Sequence, residues 1–374
     1  MKYSFRLIFL LSISAFCFQF AFAQKDGHPE VFKFQNVNAS GGGAFQNACR
    51  AGLMDSVKKH VKHHEDINGI DGTGHTPLDA AAEGDHLDIA AYLIKHGTNI
   101  NEKNKNDISA LSVAVYRNFT DMCTFLLKKG AGTDAIDSMG LSLLDRATFN
   151  NNLDLVKMLI AHGADVNAKD KYQWSPIIYA AGNGRTEILK YYIDNKANLY
   201  ITTSSGLTAM HFAAQYGQPE SITILMNAGV SINIYSKDSV TPLEWLLDPG
   251  PLDSAKRLGM LDFMLKNGAD PNQPNRRKGN ALHIVAFSGH TELAKLLIDH
   301  GANVNAIDNS GATPLHIAVV HDHTDLAELL INHGANLNIK DINGRTPLDL
   351  VSPFNHDLKR LLVINGALNS PFVK

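Results

Sequence analysis

The chain has 374 residues, of which 44% are apolar and 19% are charged, and its 34 Lys and Arg residues against 37 Asp and Glu residues give a formal net charge of −3. This composition is ordinary for a globular protein, and it excludes a collagen-like chain, a largely disordered chain and a polytopic membrane protein. The charge balance lacks the basic excess typical of nucleic-acid-binding proteins, so we expect no nucleic-acid partner.

The first segment, residues 1–23, is predicted to be a signal peptide. Lys2 and Arg6 precede an apolar run, and Ala21 and Ala23 place small residues at the −3 and −1 positions of a cleavage site. An uncleaved membrane anchor is the alternative, but the apolar run is short for a membrane span. We therefore expect cleavage, export to the periplasm or out of the cell, and no membrane association afterwards. The short basic start is typical of bacterial export signals.

Residues 24–40 are predicted to be a flexible lead.

After this segment, two short sequence motifs recur along the chain. One motif reads His/Asn-Gly-Ala-Asp/Asn, and the other reads Thr/Ser-Pro-Leu and precedes the first by about twenty residues. The glycines of the first motif are Gly97, Gly130, Gly163, Gly229, Gly268, Gly301, Gly334 and Gly366. Most of them are 33 residues apart. A fixed period of this length indicates a stack of identical structural units.

Each period is predicted to contain two helices and a projecting turn. Thr313 followed by Pro is a typical helix start, and it predicts a first helix that runs to Val320. A second helix is predicted over 324–332, and Gly334 ends it in a left-handed conformation. The apolar face of the second helix is predicted to contain Leu326, Leu329 and Leu330. Such a unit has too little core to fold alone, so stacking must complete it.

This pattern resembles the ankyrin repeat family, and Thr313-Pro-Leu-His-Ile-Ala followed by Leu329-Leu-Ile-Asn-His-Gly-Ala-Asn fits the family pattern closely. The resemblance implies an all-α repeat solenoid of about ten stacked repeats with β-hairpin-like fingers and capping repeats at both ends, over residues 41–370. The repeats are expected near 41–70, 71–103, 104–136, 137–169, 170–202, 203–235, 236–274, 275–307, 308–340 and 341–370.

The departures from the pattern include four repeats, and two of them, the third at Ser109-Ala-Leu and the eighth at Asn280-Ala-Leu, lack the proline. The fifth has Lys196 in place of the glycine that ends the second helix, which should weaken that turn by about 1 kcal/mol. The seventh is six residues longer, and its extra residues surround Asp248-Pro249-Gly250-Pro251 between the two helices. A tolerated loop insertion and a protruding contact loop or break in the stack remain open as interpretations.

The sequence lacks the common motifs of nucleotide-binding, hydrolytic and metal-dependent enzymes, so we expect no catalytic residue and no cofactor. His211, His283 and His316 occupy a repeat position at which the family resemblance implies that the imidazole ties neighbouring fingers together. His60, His63 and His64 are spaced along one predicted helix and could hold zinc if a third kind of ligand joined them. No such ligand is visible, so no metal site is expected.

The candidate binding surface is the concave side of the stack, which the fingers and first helices line. Aromatic and Arg side chains at non-framework positions favour binding, because these types are enriched in interface hot spots. The alternative is that the rings pack locally against neighbouring fingers. The candidate partner-binding residues are Tyr116, Arg117, Phe149, Tyr172, Trp174, Tyr216, Tyr235, Arg276, Arg277 and Phe287. With Lys278, the two later arginines form a basic patch that indicates an acidic contact.

We therefore expect an exported, non-catalytic scaffold for protein–protein interaction, monomeric on its own, whose partner protein is unidentified. A secreted effector of a pathogen or symbiont that binds a host protein is the alternative. A metal-binding protein that uses surface histidines is a third, less favoured possibility.

Overall fold

The computed structural model describes residues 43–137 and 140–368. The predicted signal peptide and flexible lead therefore lie outside the described residues. Two compact units divide the chain between Ser204 and Ser205. We call the described residues before this point the N-terminal unit and those after it the C-terminal unit. Within the described residues, the secondary structure is helical apart from isolated β-bridges at two fingers.

Each unit consists of five helix pairs, numbered as repeats 1 to 10 in chain order. In the N-terminal unit the pairs are Ala44–Arg50 with Met54–Lys62, Pro77–Glu83 with Leu87–Lys95, Ala110–Arg117 with Thr120–Lys128, Leu143–Phe149 with Leu153–Ala161, and Pro176–Gly182 with Thr186–Asp194. In the C-terminal unit they are Ala209–Gln215 with Pro219–Asn227, Pro242–Leu247 with Ser254–Lys266, Ala281–Ser288 with Thr291–Asp299, Pro314–Val320 with Thr324–Asn332, and the 3-10 helix Pro347–Leu350 with His356–Ile364. The fold class is the predicted all-α ankyrin-type repeat solenoid.

The first helices begin where the sequence predicts. The Thr76 and Thr241 side chains accept hydrogen bonds from the backbone N–H of the third helical residue, at 3.1 and 3.2 Å, and proline occupies the first helical position. Ser142 caps repeat 4 without a proline, in a reciprocal capping box with Asp145. Hydroxyl caps therefore fix the start of first helices in both units.

A five-residue turn forms each finger, as the finger of repeat 9 illustrates. The Asp308 N–H donates to the Ala312 carbonyl at 3.0 Å, and the Asp308 carboxylate accepts the backbone N–H groups of Ser310 and Ala312. The fourth residue, Gly311, has φ of 71°. An Asx side chain at the first position and a left-handed fourth position thus fix the finger.

The histidines of the Thr-Pro-Leu-His position connect neighbouring repeats, as predicted. Nδ1 of each imidazole accepts a backbone N–H at the start of its own helix, from Thr208, Asn280 or Thr313. Because Nδ1 accepts, Nε2 carries the proton and donates to a carbonyl of the next finger. These carbonyls belong to Val240, Ala312 and Arg345, at 3.0, 3.2 and 3.2 Å.

The buried face of the second helix of repeat 9 differs from the prediction by one residue. Leu326, Ala327 and Leu330 are buried, whereas Leu329 is only half-buried. The buried face is therefore rotated relative to the predicted one, because positions 326, 327 and 330 point to the core and position 329 lies on its flank.

The insertion in repeat 7 lengthens the second helix as well as the connection before it. That helix has 13 residues, whereas the second helices of the other repeats have nine. The connection does not protrude, because the buried Arg257 donates to the carbonyls of Gly250 and Leu252, at 3.5 and 3.3 Å. Asp253 caps the longer helix.

Two helices end earlier than the sequence indicates. The second helix of repeat 1 ends at Lys62, so His63 and His64 lie beyond it, and His64 has φ of 58°. The first helix of repeat 10 is a four-residue 3-10 helix. Pro353 follows it closely and disfavours helical conformation in the residue before it.

Candidate partner-binding surface

Arg146 organises the first cluster of predicted binding residues, in repeats 3 and 4 of the N-terminal unit. Its guanidinium carbon lies 4.9 Å from the ring centroid of Tyr116 and 5.9 Å from that of Phe149. Arg146 itself is buried and forms an ion pair with the buried Asp137, with Nη2 2.6 Å from Oδ2. Both rings are half-buried. A cation held by a buried partner thus fixes two aromatic rings through cation–π contacts.

Tyr179 extends this cluster into repeat 5. Its buried ring lies 6.1 Å from Phe149 and 5.3 Å from Trp174, measured between ring centroids. Its hydroxyl donates to the Asp170 carboxylate at 2.5 Å. Burial raises the pKa of Asp170 despite this hydrogen bond. Tyr172, on the same finger as Trp174, is half-buried with the Lys171 ammonium 4.9 Å from its ring.

We call Tyr116, Phe149, Tyr172 and Trp174 the aromatic cluster. The structure brings Tyr116, Phe149 and Trp174 together through two residues, Arg146 and Tyr179, that the sequence analysis did not select, and Tyr172 lies on the finger of Trp174. Both follow directly after the histidine position of their repeats, a framework position that signals core rather than surface. Each ring of the cluster therefore packs locally on one side while keeping part of its surface exposed.

Arg117 belongs to a separate arrangement of charges across repeats 1 to 3. Its Nη2 lies 2.7 Å from Glu83 Oε1, and Arg50 Nε lies 2.8 Å from Glu83 Oε2. The arginines hold the pKa of Glu83 below its ordinary value against the opposing effect of burial. Arg117 is consequently engaged within the protein, and a partner would have to compete with Glu83 for it.

In the C-terminal unit, Tyr235, Arg276 and Arg277 lie on the joined fingers of repeats 7 and 8. The Tyr235 hydroxyl donates to the Pro274 carbonyl at 3.0 Å, and Tyr235 is 41% exposed. Arg276 Nη1 lies 3.4 Å from Asp238 Oδ1. These contacts tie Tyr235, one residue before its finger, to the entry of the next finger, whose tip carries Arg276 and Arg277.

Tyr216 and Phe287 lie at the ends of first helices of the same unit. Tyr216 is half-buried and its ring centroid lies 6.5 Å from that of Phe212. Phe287 is 52% exposed and packs edge-on against His321, with 4.5 Å between the ring centroids. Phe287 therefore presents the largest apolar surface among the predicted residues.

The alternative zinc site at His60, His63 and His64 loses its structural premise, because the three residues do not share one helix. His60 Nδ1 lies 2.7 Å from Glu65 Oε1, and its ring stacks on Phe45 with 5.2 Å between centroids. Over residues 43–137 and 140–368, no group of three or more His, Cys, Asp or Glu side chains is placed to hold a metal ion. In the same ranges, no helix combines the length and apolarity of a membrane span.

Comparison with known proteins agrees with this architecture. A family model described as ankyrin repeats (3 copies) matches residues 20–104, 98–170, 144–238 and 252–341. The human ASB11 ankyrin repeat domain, known from a crystal structure, is similar in fold with a TM-score of 0.50 and 22% sequence identity, over 60% of this chain and 98% of that domain. No curated protein matches the chain.

Proposed function

Since the chain belongs to the ankyrin repeat family, whose repeats are generally protein–protein interaction modules, we propose that it is a non-catalytic scaffold that binds a partner protein through its fingers and first helices. The observation that carries this proposal is the aromatic cluster, in which Arg146 and Tyr179 hold three partly exposed rings in place and the fourth, Tyr172, lies on the same finger as Trp174. Rings that are already ordered lose little conformational entropy on binding. Aromatic residues are also enriched among the residues that dominate binding energy.

To test the proposal, the capture of the partner protein by the full chain is compared with its capture by the double variant Tyr172→Ala and Trp174→Ala. We expect affinity for the captured partner to fall about tenfold or more, as for hot-spot residues, with the thermal midpoint nearly unchanged. Tyr191→Ala is the matched control, because Tyr191 is a half-buried tyrosine on the second helix of the same repeat. A large loss of stability with intact capture would assign the rings to the core and reject the proposal.

We also propose that the protein is exported, to the periplasm or out of the cell, on the basis of the signal-peptide pattern in residues 1–23. A secreted effector that binds a host protein would use the same surface in a different place. Fractionation of expressing cells, with N-terminal sequencing of the product, separates these cases. A full-length product that begins at Met1 in the cytoplasm contradicts export.

A further inference from the structure

We propose that the fingers of repeats 7 and 8 bind a short acidic segment of the partner protein; this rests on the proposed scaffold function and specifies the chemistry of its partner. The basic finger patch consists of Lys237, Arg276, Arg277 and Lys278, all of which are exposed. The single opposing charge on these fingers is Asp238, whose ion pair with Arg276 joins side chains that are 60% and 79% exposed. So exposed a pair contributes little to stability, and an incoming carboxylate can replace it.

The backbone that carries the two arginines is fixed on both sides. The Asn275 side chain accepts the N–H groups of Arg277 and Gly279, at 2.9 and 3.1 Å. From the next finger, Asn309 donates its backbone N–H to the Arg277 carbonyl at 2.7 Å and its side-chain amide to the Arg276 carbonyl at 3.3 Å. Only the side chains need to become ordered when a ligand binds, which lowers the entropic cost.

Lys278 occupies a strained position within this patch. It is the fourth residue of its finger and has φ of 58°. Five other fingers have glycine at this position, namely Gly74, Gly140, Gly206, Gly311 and Gly344, and the remaining three have Asp107, Gln173 and Ser239, with φ of 61°, 64° and 56°. A left-handed conformation costs a non-glycine residue about 1 kcal/mol. Lys278 therefore places an exposed ammonium beside the two arginines, at a position that other fingers of this protein also fill without glycine.

An apolar border lies beside the cations. Tyr235 bridges to Pro274 at the entry of the repeat 8 finger, and Ile307, at the same place in the repeat 9 finger, is 55% exposed. A complementary segment would therefore combine carboxylates with an apolar side chain. Tyr and Arg in combination are typical of interface hot spots.

The surroundings favour a protein segment over a nucleic acid. The next two fingers begin with Asp308 and Asp341, and Arg345 on the second of them is paired with Asp341 at 2.7 Å, so the cations are concentrated on the fingers of repeats 7 and 8. Neighbouring repeats lie about 10 Å apart, and an extended chain covers this patch with about six residues. A nucleic acid would need a longer basic stripe, and the chain as a whole has a net charge of −3.

The test measures binding of two fluorescein-labelled hexapeptides to the full chain by fluorescence anisotropy. One peptide contains four Glu and two Leu, and the other contains four Lys and two Leu. We expect only the Glu peptide to bind, with an affinity that falls as salt is added. R276E with R277E should weaken it about tenfold, as expected when two charged contacts are reversed.

Lys278→Gly should weaken binding about threefold, even though it relieves backbone strain and should stabilise the finger. Lys196→Gly is its matched control, because it also removes an exposed left-handed lysine, with φ of 61°, but in repeat 5. Absence of Glu-peptide binding, an equal loss in the Lys196→Gly control, or tighter binding of a single-stranded oligonucleotide overturns the acidic-segment proposal. Should the Tyr172 and Trp174 substitutions abolish partner capture while R276E with R277E leaves it intact, the scaffold function stands and the acidic segment is rejected.

Discussion

At the scale of single residues, the left-handed backbone positions show how strictly the repeat constrains the chain. The second residue after the second helix has φ near 90° where it is glycine, as in Gly163 and Gly229, and Lys196 takes the same role with φ of 61°. From the sequence we predicted that Lys196, in place of glycine, weakens this turn, and the structure shows that the lysine adopts the left-handed conformation. The lysine therefore keeps the turn at an energetic cost.

Lys196→Gly is expected to raise the free energy of unfolding by about 1 kcal/mol, because glycine adopts this conformation without steric conflict. Urea denaturation should show a higher midpoint. Gly163→Ala is the converse control, since no atom lies within 4 Å of the added Cβ and the loss of about 1 kcal/mol would come from the backbone alone. An unchanged midpoint for Lys196→Gly would mean that the turn is relaxed.

At the scale of the helix pair, adjacent repeats are joined by asparagine side chains as well as by apolar packing. Asn272 accepts the Asn303 N–H at 2.7 Å and donates to the Gly301 carbonyl at 2.8 Å. Asn305 makes the equivalent bonds one repeat later, to Asn336 and Gly334. Each amide satisfies backbone groups left unpaired at the end of the neighbouring second helix. The asparagine that lies four residues after the glycine at the end of the second helix thus links adjacent repeats by hydrogen bonds.

The second helix of repeat 9 gives a direct test of which leucine carries the core. Leu330→Ala should destabilise the protein by about 2–5 kcal/mol, because a fully buried leucine leaves a cavity. Leu329→Ala removes the same three carbon atoms on the same helix, but Leu329 is only half-buried, so the loss should be clearly smaller. Chemical denaturation of both variants makes the comparison. Equal losses would show that the helix is rotated from its position in the structure.

At the scale of the whole chain, the local signals were sufficient for the fold but not for the site. Caps and stop glycines act within a few residues, so the sequence predicted helix starts such as Thr76 and helix ends such as Gly334. The aromatic cluster depends on Arg146 and Tyr179, whose partners lie one repeat away. Because such pairings depend on stacking geometry, the sequence selected the rings but missed the residues that position them. It also placed the six extra residues of repeat 7 in the connection between the helices, whereas the insertion lengthens the second helix as well.

The two units also differ in the groups buried at the start of their first helices. The C-terminal unit buries His211, His283 and His316, and desolvation lowers their pKa values, that of His211 to about 4. The same unit buries Glu244, whose pKa burial raises to about 7. In the N-terminal unit, burial raises the pKa of Asp145 to about 8. Lowered histidine values and raised carboxyl values have opposite consequences for stability on acidification.

Acidification from about pH 7 to about pH 5.5 should therefore affect the units in opposite directions. Below their ordinary pKa the three histidines bind protons more readily in the unfolded chain, so the C-terminal unit loses stability as pH falls. Asp145 binds a proton more readily in the folded chain, so the N-terminal unit gains stability in the same window.

The measurement is made in the Glu244→Gln variant, because protonation of Glu244 would otherwise oppose the loss of stability in the C-terminal unit. Hydrogen exchange of backbone amides, corrected for intrinsic rates, reports each unit separately. Adding Asp145→Asn should reduce the gain of the N-terminal unit to the part that His75, whose pKa is raised by Asp79, still supplies, and a parallel loss of protection in both units would contradict the assignment of these buried groups.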